Sequence, residues 1–166
     1  MYDIAEPERA QAFRSTMGRL PTGVSVITTQ ATDRPVGITV SAVASLSLDP
    51  LQLLICVGNH LFTRTALEEY GRLGVSVLAE DGEDLARRFA TSRPDKFAGV
   101  ETVDGHGVPL LKDAIAHFVC DVSEVLPGGD HIIFVGDVRH FEHRQDCRPL
   151  LFFAGTFHAL TGSAAR

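Results

Sequence analysis

Residues 35–59, PVGITVSAVASLSLDPLQLLICVGN, constrain this chain more than any other stretch. They open with Val36, Ile38 and Val40 alternating with Gly37, Thr39 and Ser41. That period of two belongs to a strand with one face in a core and hydroxyls on the other. Small residues continue through Ala42, Ala44, Ser45 and Ser47 to the turn signal Asp49-Pro50, and a second strand follows over 51–57. Two strands therefore flank a small-residue segment. With no bulky side chain in the way, such a segment lets backbone N–H groups and Ser/Thr oxygens approach a phosphate or a planar ring. Thr and Ser are equally at home on the solvent face of an ordinary strand, and the residues leave both readings open.

The remaining pattern is dominated by short strands. Proline in the first turn and Gly18 as a terminator predict a helix over 7–17, followed by a loop over 19–23 and a strand over 24–29 that makes a hairpin with the opening stretch. Phe62, Ala66, Leu67 and Tyr70 fall at helical spacing within 61–70, with Gly71 as the stop, and Asn59 or His60 sits where the start of that helix favours an anion. A strand over 73–78, a short helix over 82–89, and loops over 91–99 and 105–109 follow. Strands over 114–126 and 131–142 flank Pro127-Gly128-Gly129-Asp130 as a hairpin, and 148–153 is the last expected strand. No βαβ rhythm and no Rossmann glycine fingerprint is present. The expected fold is mainly β, a mostly antiparallel, Greek-key-like barrel with short helices at its ends.

Composition narrows the function class. A chain of 166 residues, 45% apolar and 22% charged, is expected to form one domain over 1–166. A net charge of −6 offers no basic footprint for nucleic acid or an anionic membrane. Cys56, Cys120 and Cys147 form no CxxC pair and read as thiols in a reducing compartment. The opening Met1-Tyr2-Asp3-Ile4-Ala5-Glu6 lacks a signal-peptide pattern, and no apolar run approaches membrane-spanning length, so the expected location is cytoplasmic. No metal is expected: His140 and His143 are three apart on a strand-to-loop segment, on opposite faces. There is also no GxSxG and no local cysteine-nucleophile signature.

Several weak motifs occur in one order. They are Gly18-Arg19-Leu20-Pro21-Thr22-Gly23-Val24 with Thr28-Thr29, Pro35-Val36-Gly37-Ile38-Thr39-Val40-Ser41, Ser45-Leu46-Ser47-Leu48-Asp49-Pro50, Arg88-Phe89-Ala90, Phe97-Ala98-Gly99-Val100, Gly129-Asp130-His131 and Pro149-Leu150-Leu151-Phe152-Phe153. In that order the chain resembles, over about 13–160, the short-chain flavin reductases, the reductase components of two-component flavin-dependent monooxygenases. The resemblance implies a split β-barrel that binds flavin, a homodimer with flavin near the subunit interface, and reduction of FMN or FAD by NADH or NADPH. It assigns Thr39, Val40, Ser41 and Ala42 to the flavin, Ser45 and Leu46 beside its ring, and Asn59 and Thr63 to its ribityl or phosphate side. Phe89 or Phe97 is expected to close over the flavin or nicotinamide, and His131 to stand beside the nicotinamide. Departures are Gly58-Asn59-His60 in place of a serine-rich run, Thr156-Phe157 in place of Arg-Tyr, and Glu101-Thr102 where relatives often carry a tryptophan. On position alone, Phe89 and Phe97 read as core residues, and Arg93 and Lys96 as solvated charges. The rival from another class is a flavin-binding electron carrier or oxidase on the same barrel, since fold does not fix function.

Overall fold

The computed structural model describes residues 6–160, with side chains from residue 8; residues 1–5, read above for a leader pattern, and residues 161–166 lie outside them. Helix α1 (Glu6–Met17) leads into β1 (Thr22–Gly23), β2 (Ser25–Gln30) and β3 (Pro35–Val40). Strands β4 (Val43–Leu48) and β5 (Leu51–Gly58) precede α2 (Phe62–Tyr70), β6 (Arg72–Val77) and α3 (Glu83–Phe89). A small hairpin, β7 (Thr102–Asp104) and β8 (Pro109–Leu111), is followed by a long one, β9 (Ala116–Gly128) and β10 (His131–His143), and then by β11 (Leu150–Phe153) and β12 (Thr156–Ala159).

The main sheet has seven strands in the order β3-β2-β6-β9-β10-β5-β4, every neighbouring pair antiparallel. Its two edges, β3 and β4, are consecutive in the chain and joined only through Ser41 and Ala42. The expected antiparallel barrel is thus closed by covalent chain at one seam, where no ladder joins the strands.

Period-two side chains fill it. Ile27 of β2, Leu53, Ile55 and Val57 of β5, Leu73 and Val75 of β6, Cys120 of β9 and Phe134 of β10 share one core, with Leu67 of α2 buried among them. Each such side chain contributes on the order of 1.5–3 kcal/mol by leaving water. The other face of β2 is covered as well: Val26 packs with Ala86 and Phe89 of α3, Leu111 and Leu150. Burial on both faces leaves no room for unpaired polar groups. Accordingly, the Thr28 hydroxyl donates to the Pro109 carbonyl and the Thr29 hydroxyl to that of Arg72, at 2.7 Å. The Thr28-Thr29 pair therefore ties β2 to its neighbours.

Five strands are additions to the sequence reading. Thr22–Gly23, expected as loop, pairs with β11 as β1, and β12 continues that small sheet beyond the expected last strand. The 102–111 region holds the β7–β8 hairpin. The small-residue segment after Ala42 is itself strand β4, bulged between Ser45 and Ser47. Its side chains face solvent, so it carries little of the apolar alternation that marks a half-buried strand.

Candidate functional site

A cleft of about 600 Å³ opens where three segments meet: the turn and first residues of β3 (34–38), the residues entering α2 (60–63), and the chain leaving α3 (Ala90, Thr91, Ser92, Pro94, Lys96 and Phe97). Helix α2 begins there because Leu61 is extended, and it ends at Gly71, whose φ of 71° takes the left-handed conformation that glycine adopts most readily. Its buried side, Thr63, Ala66 and Leu67, fixes the helix on the barrel and brings its partly positive N-terminus to the cleft. Among the described lining residues there is no Asp or Glu, although the chain as a whole is acidic; Arg34 and Lys96 supply the fixed positive charge.

Lys96 organises the loop wall. Its ammonium donates to the carbonyls of Gly37 on β3 and Phe89 at the end of α3, both at 3.0 Å. With carbonyls as its hydrogen-bond partners, burial is the cause that holds its pKa below the ordinary 10.5. Arg88 donates to the Ala98 carbonyl at 2.8 Å, and Arg93 grips Asp95 with two bonds of 2.8 Å. Phe97 meets Phe89 edge to face at 5.0 Å between centroids. The loop between α3 and β7 is thereby fastened at several points along its length.

The fold distributes the residues picked out in the sequence into three groups. Thr63 and Phe97 line the cleft. Phe89 does not: it is fully buried beneath Gly37, where an added Cβ would sit 3.0 Å from its ring. The expectation that Phe89 closes over a bound ring is therefore corrected, because its ring is the floor against which β3 and Phe97 pack. At the seam, the Thr39 hydroxyl donates to the Ala86 carbonyl at 2.7 Å, and Val40 packs against the barrel core. Ser41, Ala42 and Ser45 are exposed and Leu46 is 47% exposed. The Ser41 carbonyl accepts from the Val43 N–H, and that of Ala42 from the Cys56 N–H.

His131 and Asn59 form the third group, at the tip of the long hairpin. His131 opens β10 opposite both Gly58 and Gly128. Its Nδ1 lies 2.7 Å from Asp130 Oδ1, and a carboxylate acceptor there places the proton on Nδ1 and leaves Nε2 for a ligand. The same contact holds the Asp130 carboxyl below its ordinary value. The Asn59 amide donates to the Gly129 carbonyl at 3.1 Å and its backbone N–H to the Asp130 carbonyl at 3.0 Å, locking the turn to the segment that enters the cleft. Thr156 and Phe157 take structural parts. The Thr156 hydroxyl donates to the Phe153 carbonyl, and Phe157 lies under the Arg87 guanidinium at 5.1 Å.

The solvated charge expected at Lys96 is corrected, because its ammonium turns inward to two backbone carbonyls; Arg34 and Phe62 carried no expectation of a site role. Nothing local marks the three, because Lys96 becomes a cleft residue only when its loop folds back 59 positions onto Gly37. Chemically, the cleft offers cations for phosphate charge, hydroxyls at Thr63, Thr91 and Ser92, and apolar walls at Ile38, Leu61 and Phe97 for a ring. These residues fit a flavin nucleotide, which combines a planar ring, a hydroxylated chain and phosphate.

Comparison with known proteins agrees. The sequence model of the flavin reductase like domain matches residues 17–161. The reductase subunit HsaB of a flavin-dependent monooxygenase from Mycobacterium tuberculosis is 37% identical over 150 residues, 89% of this chain and 80% of that protein. A flavin reductase (NADH) from Kitasatospora aureofaciens is 42% identical over 130 residues, 76% of this chain and 68% of that one. The NADH:FAD oxidoreductase SgcE6 of Streptomyces globisporus C-1027, solved in complex with NAD and FAD fragments, superposes with a TM-score of 0.91 at 34% identity, over 99% of this chain and 100% of that one. With its fold, its cationic cleft and these likenesses in agreement, the chain belongs to the flavin reductase family.

Proposed function

We propose that this protein is an NAD(P)H:flavin oxidoreductase that reduces FMN or FAD and supplies reduced flavin to a partner flavin-dependent monooxygenase. The observation that carries the reading is the cleft itself: Lys96 and Arg34 line a ring-sized space with no carboxylate among its described lining residues, in an acidic chain whose relatives are named as NADH-dependent flavin reductases and monooxygenase reductase subunits.

A bound flavin supplies the hydride acceptor, so the chain's own residues have to bind, orient and exclude water. Lys96 fixes the loop wall and presents positive charge. Phe97 and Ile38 supply the apolar walls, and Thr63, Thr91 and Ser92 the hydroxyls. Thr39, Val40, Ser41 and Ala42, with Ser45 and Leu46, provide the backbone and hydroxyl groups along the seam. His131, its Nδ1 proton held by Asp130, offers Nε2 to the nicotinamide side. No general acid is required for the hydride itself.

The working unit is a single domain, 1–166 with its core in 13–160, acting as a homodimer. Apolar side chains left uncovered on β4 and β5 support that assembly: Leu48 is 82% exposed, Leu46 47% and Leu51 41%. No helix among the described residues is long and apolar enough to cross a membrane, and we place the protein in the cytoplasm.

The test is to mix purified protein with FMN or FAD and with NADH or NADPH, and to follow the nicotinamide absorbance. Turnover in at least one of the four combinations is expected. Flavin binding without turnover would make the protein a carrier, and absence of both would remove the reading.

A further inference from the structure

We propose that Phe62 and Arg34 form an adenine-stacking rim at the mouth of the cleft, which takes the adenylate end of a dinucleotide. The proposal rests on the reductase reading and adds the part of the substrate that this end of the site recognises.

Phe62 is the first residue of α2, and the helix buries Thr63, Ala66 and Leu67 instead. The ring lines the cleft and remains 59% exposed, so it belongs to no core cluster. A large apolar ring left open at the edge of a concave site calls for a flat partner. Arg34 reaches it from the turn between β2 and β3, 28 positions earlier in the chain, with its guanidinium carbon 5.8 Å from the ring centroid. Its carboxylate neighbour, Asp33, is 3.5 Å away and well exposed, which holds the guanidinium only loosely. A ring and a guanidinium plane side by side are the two surfaces on which nucleobases stack, and the cation also answers phosphate charge.

The start of α2 carries no side-chain cap, so its first-turn N–H groups suit a phosphate, whereas the Phe62 ring itself has no donor and offers only a face. The ring and guanidinium therefore suit adenine, while the helix start and Lys96 further along the cleft remain for the phosphates of the same dinucleotide.

Both FAD and NAD(P)H carry an adenylate, and the test separates them. ADP is titrated calorimetrically into wild type, Phe62→Ala, Phe62→Tyr and Arg34→Ala, with melting curves to verify folding. FAD and FMN affinities and the KM for NADH are then measured on the same four proteins. ADP is expected to bind wild type and Phe62→Tyr alike and to weaken about tenfold or more in Phe62→Ala, with a smaller loss in Arg34→Ala. A matching loss for FAD with FMN unmoved assigns the rim to the flavin. A raised KM for NADH with both flavins unmoved assigns it to the nicotinamide nucleotide. ADP that ignores wild type, or binds Phe62→Ala equally well, overturns the proposal, as does a Phe62→Ala loss that is the same for FMN as for FAD. A wild type that binds ADP but neither binds flavin nor oxidises NADH keeps the rim and defeats the reductase reading.

Discussion

The Lys96 ammonium donates to the Gly37 carbonyl at 3.0 Å, and that bond fastens the loop wall of the cleft to an edge strand of the barrel. Lys96→Met removes the charge and two hydrogen bonds while keeping the apolar stem. Flavin affinity is expected to fall about tenfold, measured by quenching of flavin fluorescence. The pH dependence has a definite sign. Burial lowers the folded-state pKa below 10.5, so the folded chain binds fewer protons than the unfolded one between that depressed value and 10.5. Stability therefore rises with pH across the window. Denaturation at several alkaline pH values should show the rise in wild type and a flatter profile in Lys96→Met.

Thr39 and Ser41 separate stability from binding. The Ala86 carbonyl also accepts from the Ala90 N–H, so Thr39→Val leaves it partnered, and the cost falls near the lower end of the range for a lost hydrogen bond, about 1 kcal/mol. Ser41 is exposed, and Ser41→Ala is expected to leave the melting temperature in place while weakening flavin by about 1–3 kcal/mol. Unchanged flavin affinity in both variants would move the flavin site away from the seam.

His131→Ala is expected to raise the KM for the nicotinamide nucleotide and lower kcat by about one to two orders of magnitude, with flavin affinity nearly constant. Asp130→Asn keeps the imidazole but removes the carboxylate that holds the Nδ1 proton, and should reproduce part of the kinetic loss. Paired flavin titrations and steady-state kinetics decide the point; loss of flavin with normal saturated turnover would place His131 in the flavin site instead.

Leu48→Glu tests the proposed homodimer. A charge at the most exposed of the β4 leucines is expected to convert dimer to monomer in sedimentation velocity at micromolar concentration and to weaken flavin with it. A wild type that sediments as a monomer would count against any flavin site near a subunit interface.

The sheet was legible where burial writes a period of two into the chain. Ile27, Leu53, Ile55, Val57, Leu73 and Val75 all stand in expected strands and fill one core. β4 and β12 were not legible as strands, because one exposes its side chains and the other is a four-residue ladder partner of β11. The site divided along the same line. Thr63 and the Gly129-Asp130-His131 turn carry local signals of helix start and hairpin. Lys96 and the Arg34–Phe62 pair exist only through contacts between segments far apart in sequence. Phe89 is the core residue that its position alone implies, and only the resemblance to the flavin reductases set it over a bound ring.

The seam at Ser41 and Ala42 sets what kind of change the protein tolerates. Its two lips, β3 and β4, each lack a ladder neighbour on one side, so peptide groups there remain available to whatever enters. Peptide groups are common to all residues but proline, and recognition through them is blind to the side chain attached. Exchanges among small residues at Ala42 or Ala44 should therefore preserve binding, while a proline at the same positions removes an N–H outright. Apart from its serine hydroxyls, this edge of the site is where composition can drift furthest without the chemistry registering it.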